Sequence, residues 1–455
     1  MFTNYCDYEK AKTDWILACA DEFKKDLRWE GLNLRAVFTR YLQINLSSVN
    51  KDWFKKKLSS KASCQEILSD LEQFQKSWKS KLIKIPGLQH TKYKIQWLNH
   101  NSKKITKRKP LIAVHHWKFV DYLKESKLFD ELDPLWLVDS PRMAKEIGLD
   151  NDDLIIPHIK PFKPSKSRFP FNILHDLANG LKISLLRSRP STIFVVEGDT
   201  PYHILLAEIG RMLDIPVYCF QWGIFHQNEM RINFSEMHFN KFLSWGPIFE
   251  EQLRFLNPKQ DFVSFGNLSS NSLPRIGNKI IFLSQYVVNY ITKTDQEIFV
   301  KLAIFLAKRF PNQVVWRPHP NVSQDDCKEF TDLKKGNVHL LDPKESLTSQ
   351  LKNSVVAVGI GSSSLVDALH CGVIPISFNT TCLKEFPLPL VKLGVGFEFR
   401  GFDDALEQIT DLMNNQDRIL SIQNQIAANH STFFSNTELS QKKKYIHRIC
   451  KNNLI

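Results

Sequence analysis

Two short clusters in the second half of the chain gather residue types suited to phosphate. In Val314-Val315-Trp316-Arg317-Pro318-His319-Pro320 an apolar run stops at a cation, an imidazole and two prolines. Arg317 offers a planar set of donors and His319 a donor whose charge can be tuned, both suited to phosphate oxygens. The prolines fix the turn and remove competing backbone donors. About 40 residues on, Val355 to Val358 runs into Gly359-Ile360-Gly361-Ser362-Ser363-Ser364. Glycine permits a tight turn there, and the N–H groups opening a following helix, with the serine hydroxyls, form a cradle for an anion. Each cluster also has an architectural reading, a proline-capped strand end with a structural histidine and a small-residue strand-to-helix turn. The turn matches neither Gly-x-Gly-x-x-Gly nor Gly-x-x-x-x-Gly-Lys-[Ser/Thr], which speaks against a dinucleotide dehydrogenase or a P-loop ATPase.

The first half holds polar residues at comparable places. Glu197-Gly198-Asp199 follows the apolar run Ile193 to Val196, and a polar loop containing Gln221, Trp222, Phe225 and His226 follows Ile215 to Phe220. Trp222 or Phe225 suits stacking on a sugar face, with a purely structural loop as the alternative. His115-His116 after Leu111 to Val114, and Asp139-Ser140 after Leu135 to Val138, repeat the arrangement more weakly. No Asp-x-Asp follows a strand end, and Asp325-Asp326 and Asp403-Asp404 lack a neighbouring histidine or cysteine set, so no catalytic metal is expected.

The elements that must position these residues alternate between strand and helix. Continuous apolar runs such as Ile193 to Val196, each followed by a loop and a helical stretch, predict parallel sheets covered on both faces. Ligands of such sheets bind beyond the carboxyl ends of the strands, where both clusters fall. Residues 1–105 read as a helical extension with apolar spacings of three and four, and 106–270 as a Rossmann-like part of the same N-terminal domain. The turn-rich run from Gly266 to Asn278 is expected to link it to a second doubly wound domain over 279–425, followed by a helical tail over 426–455.

With 455 residues the chain is too long for one hydrophobic core, and 43% apolar and 24% charged residues describe a globular protein. No apolar run approaches a membrane span and the start lacks the regions of a signal peptide, so a cytoplasmic protein is expected. The eight cysteines show no CxxC pair or zinc-like spacing and read as reduced, mostly buried thiols. The charge of +13 gathers in clusters such as Lys55-Lys56-Lys57 and favours polyanions in general, an anionic inner-membrane face among them. Without an RNA-binding, zinc-finger or helix-turn-helix pattern, no nucleic-acid partner is expected.

The order strand, Arg-Pro-His-Pro, polar loop, strand, short helix, strand, Gly-Ser-Ser-Ser, helix, then Cys371-Gly372-Val373-Ile374-Pro375 resembles the donor domain of bacterial surface-polysaccharide glycosyltransferases. It is similar in particular to CMP-sugar enzymes of the sialic acid and Kdo type. The resemblance covers Lys279 to Phe378 well and Thr192 to Gly246 loosely. It implies an α/β GT-B fold, two Rossmann-like doubly wound domains facing a cleft, here with an N-terminal helical region. It further implies an inverting, metal-independent transferase moving a sugar from a nucleotide-activated donor to a growing glycan or lipid-linked acceptor of capsule or lipopolysaccharide. No cofactor beyond that donor is implied. Carried over by position, His319-Pro320 and Ser362 to Ser364 contact the nucleotide phosphate and ribose, with Arg317 and Gly361 beside them. The counterpart of the family's acidic-acidic-Gly base is Glu197-Gly198-Asp199, where glycine separates the acids. Glu197 or Asp199 is then the base, His226 another candidate, and capping of the next helix by Asp199 or Thr200 the structural alternative. Gln221, Trp222 and His226 would line the acceptor. The same pattern occurs less closely in CDP-glycerol glycerophosphotransferases and UDP-sugar enzymes of this fold, and a non-catalytic glycan-binding protein would also keep it.

Overall fold

The computed structural model describes residues 5–48, 51–82, 108–114, 117–138, 154–155, 171–198, 200–224, 234–268, 277–285, 291–319, 328–380 and 385–452. Asp199, His226, Pro320, Phe225, His115-His116 and Asp139-Ser140 lie outside the described residues. The chain forms two compact units, one of residues 1–222, 228–268 and 435–455, the other of 223–227 and 269–434.

The first unit opens with α1 (Tyr5–Glu22), a hairpin of β1 (Arg28–Trp29) and β2 (Leu32–Asn33), then α2 (Arg35–Ser48), α3 (Lys51–Ser59) and α4 (Cys64–Leu82). Cys19 and Cys64 are joined in a disulfide with Cα atoms 5.6 Å apart, a correction to the expectation that the thiols are all reduced. The pairing joins α1 to the first residue of α4 across 45 residues, which no local cysteine spacing encodes. Cys219, Cys371 and Cys450 are free and buried, as expected of the rest.

The sheet of this unit comprises β3 (Leu111–Val114), β4 (Leu135–Val138), β5 (Leu154–Ile155), β6 (Ile193–Val196), β7 (Val217–Phe220), β8 (Lys241–Ser244) and β9 (Phe262–Ser264). The intervening helices are α5 (Trp117–Glu125), α6 (Phe171–Ser188), α7 (Pro201–Met212) and α8 (Pro247–Leu256). All strands pair in parallel, in the order β5-β4-β3-β6-β7-β8-β9. Every residue of β3, β4, β6 and β7 is buried, because helices cover both faces and leave no solvent side for an alternating pattern. The helical extension is part of this unit. Arg35 at the start of α2 donates from Nε to Glu236 at 2.8 Å and also bonds Asp21, and Lys182 of α6 bonds Glu30 beside the hairpin.

The second unit runs β10 (Lys279–Leu283), α9 (Lys293–Arg309), β11 (Val314–Arg317), α10 (Lys328–Lys335), β12 (His339–Leu340), α11 (Leu347–Leu351), β13 (Ser354–Gly359), α12 (Ser364–His370), β14 (Ile374–Phe378), β15 (Phe397–Phe399), α13 (Phe402–Asn414) and α14 (Gln416–Phe433). Its six strands are parallel, ordered β12-β11-β10-β13-β14-β15. α9 begins in a capping box: the Thr292 hydroxyl accepts from the Asp295 N–H at 3.1 Å, and the Asp295 carboxylate accepts from the Thr292 N–H at 2.8 Å. Phe299 of the same helix packs on Phe282 and Trp316, whose rings stack 5.8 Å apart across β10 and β11. After Phe434 the chain returns to the first unit, where α15 (Leu439–Asn452) sets Ile446, Ile449 and Cys450 into a core shared with Phe194, Tyr218 and Phe220. Among the described residues no helix is long and apolar enough to cross a membrane.

Candidate functional site

Strand order reverses direction between β10 and β13 in the second unit, and between β3 and β6 in the first. At such a switch the loops leaving the two strands diverge to opposite faces and open a crevice at the carboxyl edge. The candidate residues are distributed around these two places.

In the second unit the parallel register aligns Arg317 with Leu283, Leu283 with Gly359, Gly359 with Ser377, and Ser377 with Glu398. Arg317 and Gly359 are thus two strands apart, about 10 Å at the usual spacing. Gly361 takes φ +55°, which turns the chain out of β13, and the Ser362 hydroxyl then accepts the Ser364 N–H at 3.3 Å. Ser362 is buried by this, whereas Ser363 and Ser364 are half-buried at the edge. Helix α12 has only seven residues, so the polar atoms of the turn, more than a helix dipole, are what it offers an anion. Gly223, which belongs to this unit, lies beside the turn: a Cβ there would stand 3.8 Å from Cβ of Ser363.

Arg317 is committed largely to its own unit. Nη1 donates to the Glu345 carbonyl at 3.1 Å and to the Gln350 side chain, and Nη2 to the Pro343 carbonyl at 3.2 Å. Gln350 in turn donates to the Asp342 carbonyl at 2.7 Å. The guanidinium therefore braces the loop from Asp342 to Gln350, a role its position at a strand end did not disclose. Burial pushes its pKa below the usual arginine value, with Asp367, Glu345 and Asp342 opposing the shift. His319 is half-buried two residues beyond.

On the other flank lies a set that the sequence reading missed. The Ser377 hydroxyl donates to Asn379 Oδ1 at 2.7 Å, Asn379 Nδ2 donates to Glu398 Oε2 at 2.8 Å, and the same oxygen accepts the Phe386 N–H at 2.9 Å. Glu398 so fixes both ends of the segment that leaves β14. The one available signal was an acid between two phenylalanines in Phe397-Glu398-Phe399.

In the first unit Glu197 directly follows β6 with φ +74°, a conformation that costs a side chain-bearing residue on the order of 1–2 kcal/mol. Its N–H donates to the Phe220 carbonyl at 2.9 Å, so the strand pairing holds the backbone as it leaves the sheet. Gly198 follows at φ +78°, and a Cβ there would stand 2.4 Å from Cys219 Sγ. Two consecutive left-handed residues turn the chain out of the sheet at the switch point. Strain of this kind concentrates at functional sites. The cap of α7 is Thr200, whose hydroxyl accepts the His203 N–H at 3.1 Å, with Pro201 as the first helical residue.

Gln221 is buried, and its Oε1 accepts the Trp245 N–H at 2.8 Å, tying the ends of β7 and β8 together. The ring of Trp222 packs edge-on with Phe119 and Tyr122, centroids 4.7 and 4.9 Å away. Both residues are thus engaged in the packing of their own unit.

No protein-family model matches the chain and no curated protein is similar to it in sequence. Solved structures resemble it in fold. UDP-GlcNAc 2-epimerase from Neisseria meningitidis, bound to UDP-GlcNAc, superposes with a TM-score of 0.52 at 13% identity, over 76% of this chain and 100% of that one. A Listeria monocytogenes protein described as a UDP-N-acetylglucosamine 2-epimerase gives 0.54 at 11% identity, over 76% and 97%. S. aureus MnaA with UDP gives 0.51 at 12%, over 77% and 98%. These likenesses and the two parallel, helix-flanked sheets together show that the chain has the two-domain, Rossmann-like GT-B fold.

Proposed function

We propose that the chain is an inverting, metal-independent glycosyltransferase that moves a sugar from a nucleotide-activated donor to a capsule or lipopolysaccharide glycan. The observation carrying this reading is the glycine–serine turn, Gly361 to Ser364, at the switch point of the second unit's sheet. In this reading Glu197, or Asp199 next to it, takes the proton of the acceptor hydroxyl. The oxygen attacks the anomeric carbon from the face opposite the nucleotide, which inverts the configuration. The departing phosphate gathers negative charge and is met by the polar atoms of Gly361 to Ser364 and by His319-Pro320, while Arg317 holds the adjoining loop in shape. On the acceptor side, Gln221 and Trp222 would act by holding the strand ends in place, and His226 would meet the acceptor.

Nucleotide-sugar use is supported by the UDP-GlcNAc and UDP bound in two structures of like fold. A CMP-activated nonulosonic acid or Kdo is the donor we favour, on the Arg-Pro-His-Pro and serine combination. The acceptor is a growing or lipid-linked glycan at the cytoplasmic side, near an anionic inner-membrane surface. A thermal-shift panel of CMP, UDP, GDP and CDP tests the site, since a ligand of the native state raises its stability by RT ln(1 + [L]/Kd). No shift with any nucleotide overturns the reading, and a transfer assay with Glu197→Gln should lose at least about 100-fold in rate if that residue is the base.

A second reading, epimerisation of a UDP-sugar, is favoured by two of the similar structures, both described as UDP-GlcNAc 2-epimerases. Turnover of UDP-GlcNAc alone, with no acceptor present, would select it.

A further inference from the structure

We propose that the outward face of α15 is a docking strip for an anionic bilayer surface, formed by Lys444, Arg448 and Lys451. This deepens the membrane partner of the proposed function and rests on that reading for its purpose.

The helix divides cleanly. Lys442, Ile446, Ile449 and Cys450 face inward, and Gln441, Lys444, Arg448 and Lys451 are exposed. Spacings of three and four residues put the exposed set on one stripe opposite the buried one. From Leu439 to Asn452 the sequence contains five lysines and arginines and no acid. Some cations elsewhere are paired, such as Lys12 with Glu9, Lys57 with Glu66 and Asp70, Lys109 with Asp133, Lys182 with Glu30, and Lys241 with Asp261. Among the described residues, Lys443, Lys444, Arg448 and Lys451 have no carboxylate within ion-pair distance. The acids facing this helix are Glu131, 3.8 Å from His447, and Asp261, which acts on Tyr445, and Glu438 directly precedes it. Like charges three and four residues apart repel along a helix, a cost that a bound anion would lower.

The shape of the strip selects its occupant. It runs along one side of a helix on the outside of the unit, about 15 Å from Gln441 to Lys451 at 1.5 Å per residue. Bases of single-stranded nucleic acid need aromatic faces to stack on, but Tyr445 is half-buried against Phe265 and lies beneath Arg448. A row of cations on a convex helix suits a plane of charge. With no membrane-crossing helix among the described residues, such contact is how this unit would reach a lipid-linked acceptor.

The test uses the full chain with vesicles of phosphatidylcholine alone and of phosphatidylcholine with one-third phosphatidylglycerol, at low and high salt. The wild type should co-sediment only with the anionic vesicles, and less so as salt rises. Lys444→Gln/Arg448→Gln/Lys451→Gln should bind them on the order of 100-fold more weakly, whereas Lys24→Gln/Lys25→Gln/Lys56→Gln should bind like the wild type. Equal binding to both vesicle types, equal loss in both triple variants, or binding of single-stranded DNA without binding of vesicles overturns the proposal. The nucleotide thermal shift on the same proteins keeps the two ideas apart. A strip variant that keeps its shift and loses vesicles supports docking, and a wild type that binds anionic vesicles but no nucleotide sinks the proposed function alone.

Discussion

Lys442 is a buried cation of the first unit. It is 6% exposed, and burial pushes its pKa down from 10.5 to about 8. Its Nζ donates to the Asn267 carbonyl at 2.7 Å, and no carboxylate within ion-pair distance is recorded for it among the described residues. The unfolded chain keeps the proton up to pH 10.5, while the folded chain releases it above about 8. Between those values the unfolded state binds more protons, so stability rises with pH. At 1.36 kcal/mol per pK unit the charged form costs about 3 kcal/mol below pH 8. Lys442→Met removes that cost but leaves the Asn267 carbonyl without this donor, a loss of about 1–2 kcal/mol. The variant should therefore be about 1–2 kcal/mol more stable than the wild type at pH 7. Its advantage should vanish and reverse by pH 10.5, where the neutral lysine keeps its hydrogen bond. Urea unfolding followed by tryptophan fluorescence across pH 7 to 10.5 measures the difference, and general alkaline effects cancel between the two proteins. A variant less stable at pH 7, or a difference that does not change with pH, would refute the argument.

The remaining predictions concern the strained turn, the braced loop and the disulfide. Gly198→Ala forces a methyl group to within 2.4 Å of Cys219 Sγ at a positive φ, and should cost roughly 3 kcal/mol in urea unfolding; pairing it with Cys219→Ala should recover part of that loss. Arg317→Gln should release the loop from Pro343 to Gln350 and weaken nucleotide binding at least about tenfold by calorimetry, since hydrogen bonds to a charged group are worth about 1.5–3 kcal/mol each; unchanged affinity would separate the loop from the site. Reduction of Cys19–Cys64, or Cys19→Ser/Cys64→Ser, reopens a closure of 45 residues, whose entropic ceiling is about 4 kcal/mol; a melting temperature unmoved by reductant would show that helix packing alone holds α1 and α4.

Much of the fold was legible because both sheets are parallel and buried on both faces. Runs such as Ile193 to Val196 and Val355 to Val358 have no alternation to misread, and β6 and β13 are found where they stand. The short helix expected after Arg-Pro-His-Pro stands at Leu347–Leu351, and the Pro343 and Glu345 carbonyls before it accept from Arg317. The phosphate-like character of the Gly361 to Ser364 turn could be read from residue types alone. The commitment of Arg317 to a loop about 30 residues away could not, because it depends on the register that sets β11 beside β10 and β12. The same holds for the disulfide and for Glu398, whose partners Asn379 and Phe386 reach it only through the pairing of β14 with β15. Glu197 was identified by position, but its left-handed backbone was not, and the need for glycine at Gly198 comes from Cys219 and Phe239, which leave no room for a Cβ there.

The return of α15 to the first unit has a consequence for biosynthesis. Ile446, Ile449 and Cys450 complete the core over Tyr218, Phe220 and Phe265, yet they are translated only after residues 269–434. At ~5–20 residues per second, the first unit waits about ten to thirty seconds with that apolar face uncovered. Vectorial folding of the nascent chain cannot finish the first unit before the second has emerged. A ribosome stalled near the end of the message would therefore release a product whose second unit is whole and whose first unit exposes a sticky surface, a natural substrate for chaperones and proteases.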